Sequence, residues 1–122
     1  MGEEVSAKKY RVVFHLDEGN RSRVKMALAN VENLITDMGP DKVEVALVMN
    51  GEGVMALLKV PGLYKQEIER LAAIGVSFFA CAHSLSILRL REGALLDAVQ
   101  LVPAGVSELT KRQAEGWAYI RP

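Results

Sequence analysis

Two rhythms of apolar and polar positions run along this chain. Tyr10 to Leu16 (Tyr-Arg-Val-Val-Phe-His-Leu) is rich in β-branched and aromatic residues and reads as a first strand. A polar turn holding Gly19 follows. From Arg21 to Met38, Val24, Leu28, Val31, Leu34, Ile35 and Met38 recur at steps of three and four, which predicts a helix with one buried face. Gly39-Pro40 ends it, since glycine suits a helix cap and proline cannot continue the ladder. Val43 to Met49, nearly all apolar, predicts a second strand. A turn at Asn50 to Gly53 leads to a short helix through Met55, Leu57 and Leu58, which Val60-Pro61-Gly62 breaks. A further helix is expected from Tyr64 to Ile74, with Ile68, Leu71 and Ala72 inward and Gly75 as its cap. Val76 to Ala80 is the third strand. Ser84 is expected to cap a helix reaching Leu90. Ala98 to Val102 is the fourth strand, Pro103-Ala104-Gly105 its turn, and Val106, Leu109 and Gln113 one face of a last helix. Trp117 to Ile120 closes the chain as a fifth strand.

Strands alternating with helices, and strands apolar at nearly every position, predict a parallel sheet with helices on both faces. The length of 122 residues suits one domain with a real core, and we place it at residues 10–122, after a disordered tail at residues 1–9.

Charge narrows the function. Fifteen basic and fifteen acidic residues cancel, which argues against a nucleic-acid partner, whose affinity is dominated by phosphate neutralisation. No apolar run approaches the ~20 residues of a membrane span, so no membrane role is expected. A single cysteine cannot form an internal disulfide and suits a reducing cytoplasm.

The parallel arrangement would gather the chemistry. Ligands of open parallel sheets bind at the carboxyl ends of the strands. That edge would collect His15 and Asp17, Asn50 to Glu52, Cys81 and His83, and Pro103 to Gly105. Cys81 falls where a strand hands over to a helix, and a helix N-terminus favours thiolate. It is then either a nucleophile or sulfur carrier, with His83 as its base or charge partner, or a packed core cysteine. His15 lies in an apolar strand, where a satisfied core or rim histidine is more common than a catalytic one. One cysteine and two histidines lack any ligand spacing, so no metal is expected, and no cofactor either. Gly51-Glu-Gly-Val-Met-Ala56 fits the pattern of a phosphate-binding turn, although Glu52 would face the phosphates. Trp117 and Tyr119 alternate on the closing strand. They either expose an aromatic edge to a partner or cover the last helix and the core.

Taken together, the chain resembles the DsrE/DsrF-like family, in its small single-domain branch. The resemblance rests on Val12-Val13-Phe14-His15, on Ala29-Asn30-Val31-Glu32-Asn33-Leu34, and on Val48-Met49-Asn50-Gly51. It continues through Gly75 to Cys81, Val102-Pro103-Ala104-Gly105-Val106 and Gln113 to Pro122. It implies a three-layer α/β/α sandwich around a mainly parallel five-stranded sheet. It also implies homo-oligomers, as dimers, trimers or hexamers. In sulfur-relay members a cysteine at this edge carries sulfur as a persulfide between donor and acceptor proteins, and Cys81 is the matching position. His15, Asn50, Gly51 and Gly105 match the family pattern and are the expected binding residues. Two readings stay open: a sulfurtransferase-like carrier on Cys81, or a non-enzymatic oligomeric module binding a small anion or nucleotide in the same crevice.

Overall fold

A computed structural model describes residues 10–122, so the tail expected at residues 1–9 lies outside the described residues. Five strands form one sheet: β1 (Tyr10–Leu16), β2 (Val43–Met49), β3 (Ser77–Cys81), β4 (Val99–Val102) and β5 (Ala118–Ile120). Four α-helices connect them: α1 (Arg21–Met38), α2 (Lys65–Ala73), α3 (Ala82–Ile87) and α4 (Gly105–Ala114). The strand order is β4-β3-β2-β1-β5, and every neighbouring pair is parallel. The mainly parallel α/β sheet expected from the alternation is therefore present.

Register places the site. His15 lies beside Val48 of β2, and Cys81 beside Val102 of β4, so the last residues of the strands lie along one edge. Alternation then divides the core. Val12, Phe14 and Leu16 face one way and pack with Val24, Val31, Ile68, Leu71 and Leu85 of α1, α2 and α3. Val13, Ala46, Val48 and Phe79 face the other way and pack with Leu109 of α4 and with Trp117. Helices cover both faces, but α4 alone covers the second.

The helix signals act as their chemistry requires. Asn20 caps α1 by accepting from the Arg23 N–H at 2.9 Å. Gly39 ends α1 at φ 96°, a left-handed backbone that glycine adopts without strain, and its N–H donates to the Ile35 carbonyl.

Three local expectations change. The helix through Met55, Leu57 and Leu58 is a 3₁₀ segment, Gly51–Leu57. Its two early glycines disfavour regular helix, and the Gly51 N–H is taken by Ser84 Oγ while the Gly53 N–H makes the 3₁₀ bond to the Asn50 carbonyl. The helix after β3 begins earlier, at Ala82, and Cys81 rather than Ser84 is its N-cap. The Cys81 sulfur accepts the Ser84 N–H at 3.4 Å, which leaves the Ser84 hydroxyl for another partner. That helix also ends sooner, at Ile87, two residues before Arg89 takes a positive φ of 57°.

Candidate functional site

At the carboxyl edge, α3 starts directly from β3, and α4 starts at Gly105 after the turn leaving β4. Both helix N-termini therefore meet at Cys81. The Ser84 N–H donates to its sulfur at 3.4 Å, and the N–H groups of Gly105 and His83 lie near enough to favour its thiolate. The Ser84 hydroxyl acts in the same direction. Ser84 Oγ accepts the Gly51 N–H at 2.8 Å, so its own proton is free to go to sulfur.

Cys81 is a free thiol only 4% exposed. Burial pushes its pKa up. The Ser84 hydroxyl and the N–H groups of Gly105, Ser84 and His83 more than offset that, so the thiol lies below its ordinary value. An ordinary packed cysteine would show the burial effect without the donors.

Gly105 allows this convergence by close approach, not by unusual backbone. A Cβ there would lie 3.1 Å from Asn50 Cβ, 3.4 Å from Val48 Cγ1 and 3.5 Å from Cys81 Cβ. Asn50 and Cys81 thus flank the first residue of α4.

Asn50 is held from the other side. His15 Nε2 and Asn50 Oδ1 are 2.9 Å apart, and His15 Nδ1 and the Tyr119 hydroxyl 2.6 Å. An amide oxygen only accepts, so Nε2 carries the proton and donates. Nδ1 then accepts from the Tyr119 O–H.

The edge residues expected from the sequence divide accordingly. Cys81, Gly105, Asn50 and His15 come together. Gly51 joins through its backbone, at φ 54° and bonded to Ser84. The His83 N–H donates to the Pro103 carbonyl at 3.3 Å, and its imidazole is exposed. Asp17 is drawn to Arg121 at 2.9 Å, and Glu52 is exposed. Among the described residues, no cluster of His, Cys, Asp and Glu could hold a metal ion.

Two residues enter that sequence reasoning placed elsewhere. Ser84 had the signal of a cap and acts as a donor inside the first turn. Tyr119 had the signal of an exposed edge ring and is a hydrogen-bond partner of His15. Trp117, its alternate neighbour, is buried in the core under α4, with the Arg112 guanidinium 4.5 Å from its ring centroid.

The glycine pattern after β2 is a packing device. The Gly51 N–H goes to Ser84 Oγ, and the Gly53 N–H goes to the Asn50 carbonyl at 3.0 Å. A Cβ on Gly53 would lie 2.3 Å from the Leu16 carbonyl oxygen. The turn after β2 presses on the turn after β1, and these amides are not free to cradle a phosphate.

Comparison with known proteins agrees with this fold. No curated protein matches the chain. The solved structure of protein MTH1491 from Methanobacterium thermoautotrophicum, itself described as a protein of unknown function, is 40% identical. The match covers 93% of this chain and 99% of that one, with a TM-score of 0.88. The ychN protein from E. coli shares the fold at 16% identity and a TM-score of 0.75, over 94% of this chain and 99% of that one. The DsrE/DsrF-like family itself matches residues 8–122, and over that span the chain belongs to the DsrE/DsrF-like family.

Proposed function

We propose that this protein is a sulfur carrier that holds sulfane sulfur as a persulfide on Cys81. The carrying observation is the meeting of two helix N-termini and the Ser84 hydroxyl on one buried sulfur. Such a setting favours an anionic sulfur in a place that otherwise disfavours charge. Family membership supports the same chemistry.

The step is a thiol exchange. The Cys81 thiolate attacks the outer sulfur of a persulfide R–S–SH. The bond between that sulfur and R–S breaks, and its electron pair leaves with R–S⁻. The proton of the new perthiol passes to R–S⁻, so the products are Cys81–S–S⁻ and R–SH. Delivery to an acceptor thiol repeats the exchange with Cys81 as leaving group. The N–H groups that favour the thiolate favour the perthiolate too. His83, exposed at the start of α3, is the proposed acceptor of the proton that the resting Cys81 thiol loses before the attack, and Asn50, Gly51, Gly105 and His15 line or support the site.

The proposed setting is a reducing cytoplasm, where a lone thiol persists, and a homo-oligomer that meets donor and acceptor proteins. The exposed Leu101 on β4, and Tyr119 and Ile120 on β5, leave apolar side chains at both sheet edges, which supports assembly. Among the described residues no helix is long and apolar enough to cross a membrane.

Intact-mass spectrometry of the non-reduced protein after exposure to hydropolysulfide tests the reading. Wild type should gain the mass of one sulfur and Cys81→Ser none. A wild-type protein that alkylates at Cys81 but gains no sulfur would refute it.

A further inference from the structure

One side chain near Cys81 departs from its usual behaviour. Asn50 occupies the N-cap position of the 3₁₀ segment, where asparagine normally accepts a backbone N–H. Its side chain makes no such bond. Its amide oxygen is taken by His15 Nε2 instead, and its Nδ2 finds no acceptor among the described residues. Asn50 Cβ and Cys81 Cβ lie 3.1 Å and 3.5 Å from the point where a Cβ on Gly105 would stand.

The hydrogen bonds also have a direction. Tyr119 O–H donates to His15 Nδ1, and His15 Nε2–H donates to Asn50 Oδ1. Each bond polarises the next, which strengthens the remaining amide N–H as a donor. Tyr119 and Asn50 are brought onto one imidazole from strand β5 and from the end of β2.

We propose that Asn50 is a substrate-contacting residue of the Cys81 site, its Nδ2 donating to the terminal sulfur as negative charge collects there, with His15 and Tyr119 as positioning residues that turn the amide. This rests on the persulfide reading. It assigns the outer sulfur a donor apart from the backbone N–H groups that serve Sγ itself. It also explains why a histidine stands in a largely apolar strand: a ring nitrogen is needed on each side, one to accept and one to donate.

The test compares rates of sulfur loading from hydropolysulfide, followed by intact mass, with rates of alkylation by neutral iodoacetamide. Alkylation needs the thiolate but places no charge on an outer sulfur. Asn50→Asp keeps the shape and removes the Nδ2 donor. It should slow loading ~10- to 100-fold, the range for a hydrogen bond to a charged group, and leave alkylation within about 3-fold. His15→Leu should resemble it, whereas His15→Gln, whose amide N–H can still donate to Asn50 Oδ1, should restore most of the rate. Tyr119→Phe should fall between wild type and His15→Leu. Loading and alkylation falling together, or His15→Gln no better than His15→Leu, would overturn the assignment. Should His15→Leu fail to fold, Asn50→Asp at unchanged melting temperature carries the test alone. Failure of wild type to load sulfur refutes the carrier reading itself; wild-type loading with Asn50→Asp unimpaired refutes only this inference.

Discussion

Replacing Gly105 by alanine probes the convergence of α3, α4 and the end of β2 with a single methyl group. The new Cβ would sit 3.1 Å from Asn50 Cβ, 3.4 Å from Val48 Cγ1 and 3.5 Å from Cys81 Cβ. Carbon atoms rest at ~3.5–4.0 Å, so the closest contact is short by roughly half an ångström. None of the three neighbours is the loose end of a long side chain. Overpacking of this kind costs ~1–3 kcal/mol. Alanine restricts the unfolded chain and returns ~0.4–1 kcal/mol. The net expectation is a loss of about 1–2 kcal/mol, a fall in melting temperature of about 3–8 °C for a domain of this size. Because α4 must retreat to make room, the Gly105 N–H withdraws from Cys81, and the thiol pKa should rise toward its ordinary value. The assay pairs thermal unfolding with the pH profile of iodoacetamide alkylation. Gly93→Ala is the control, since a Cβ there meets nothing within 4 Å and the residue has no positive φ. Gly105→Ala matching that control in both readouts would refute the packing argument and with it the role of α4 at the sulfur.

Other substitutions test other parts of the fold. Gly53→Ala would drive a Cβ to 2.3 Å from the Leu16 carbonyl oxygen, a backbone atom, and should cost about 3 kcal/mol, the upper end of overpacking, in urea unfolding. An unchanged midpoint would mean that the two turns are not pressed together. Asp17 lies below the usual carboxylate pKa, chiefly through its hydrogen bond to Arg121, with burial opposing and the Arg121 charge assisting. A lowered folded-state value gives stability that is present above the unfolded pKa of about 3.9 and lost as pH falls through the folded one. Arg121→Met should therefore lower the melting temperature at pH 7 and match wild type at strongly acid pH; a difference that persisted there would refute the assignment. The effect should be small, since both side chains are more than a third exposed and solvent screens the pair. Arg112 lies 4.5 Å from the Trp117 ring centroid and 4.8 Å from that of Phe79, and pairs with Glu108 at 2.7 Å. Arg112→Ala should cost ~2 kcal/mol in urea unfolding, and Arg112→Lys should recover less than half of that, because an ammonium cannot stack as a planar guanidinium does. Full recovery by lysine would show that charge alone matters.

Much of the fold was legible in the sequence because its causes are local. The limits of β1, α1 and β2 fall at Tyr10–Leu16, Arg21–Met38 and Val43–Met49, where the hydrophobic rhythm changes. There a change of period coincides with a capping residue or a glycine-rich turn, and no distant contact contradicts either. The limits around Cys81 moved because a sulfur took the cap and Ser84 answered to Gly51, more than thirty residues earlier in the chain. The segment after β2 became a 3₁₀ turn because Gly53 must clear the Leu16 carbonyl, a neighbour that no local pattern names.

By itself, then, the sequence determined the alternation of strands and helices, the parallel sheet and the edge on which Cys81, Asn50 and His15 would lie, since periodicity and right-to-left order along a strand follow from the chain alone. The tertiary structure decided which of those groups work together. The bond between His15 and Tyr119 joins residues 104 positions apart, and the Gly105 N–H reaches Cys81 because α4 crosses the second face of the sheet. Hydrogen bonds and close contacts act over a few ångströms. They exist only after β1 has paired with both β2 and β5, and after α4 has closed over the core.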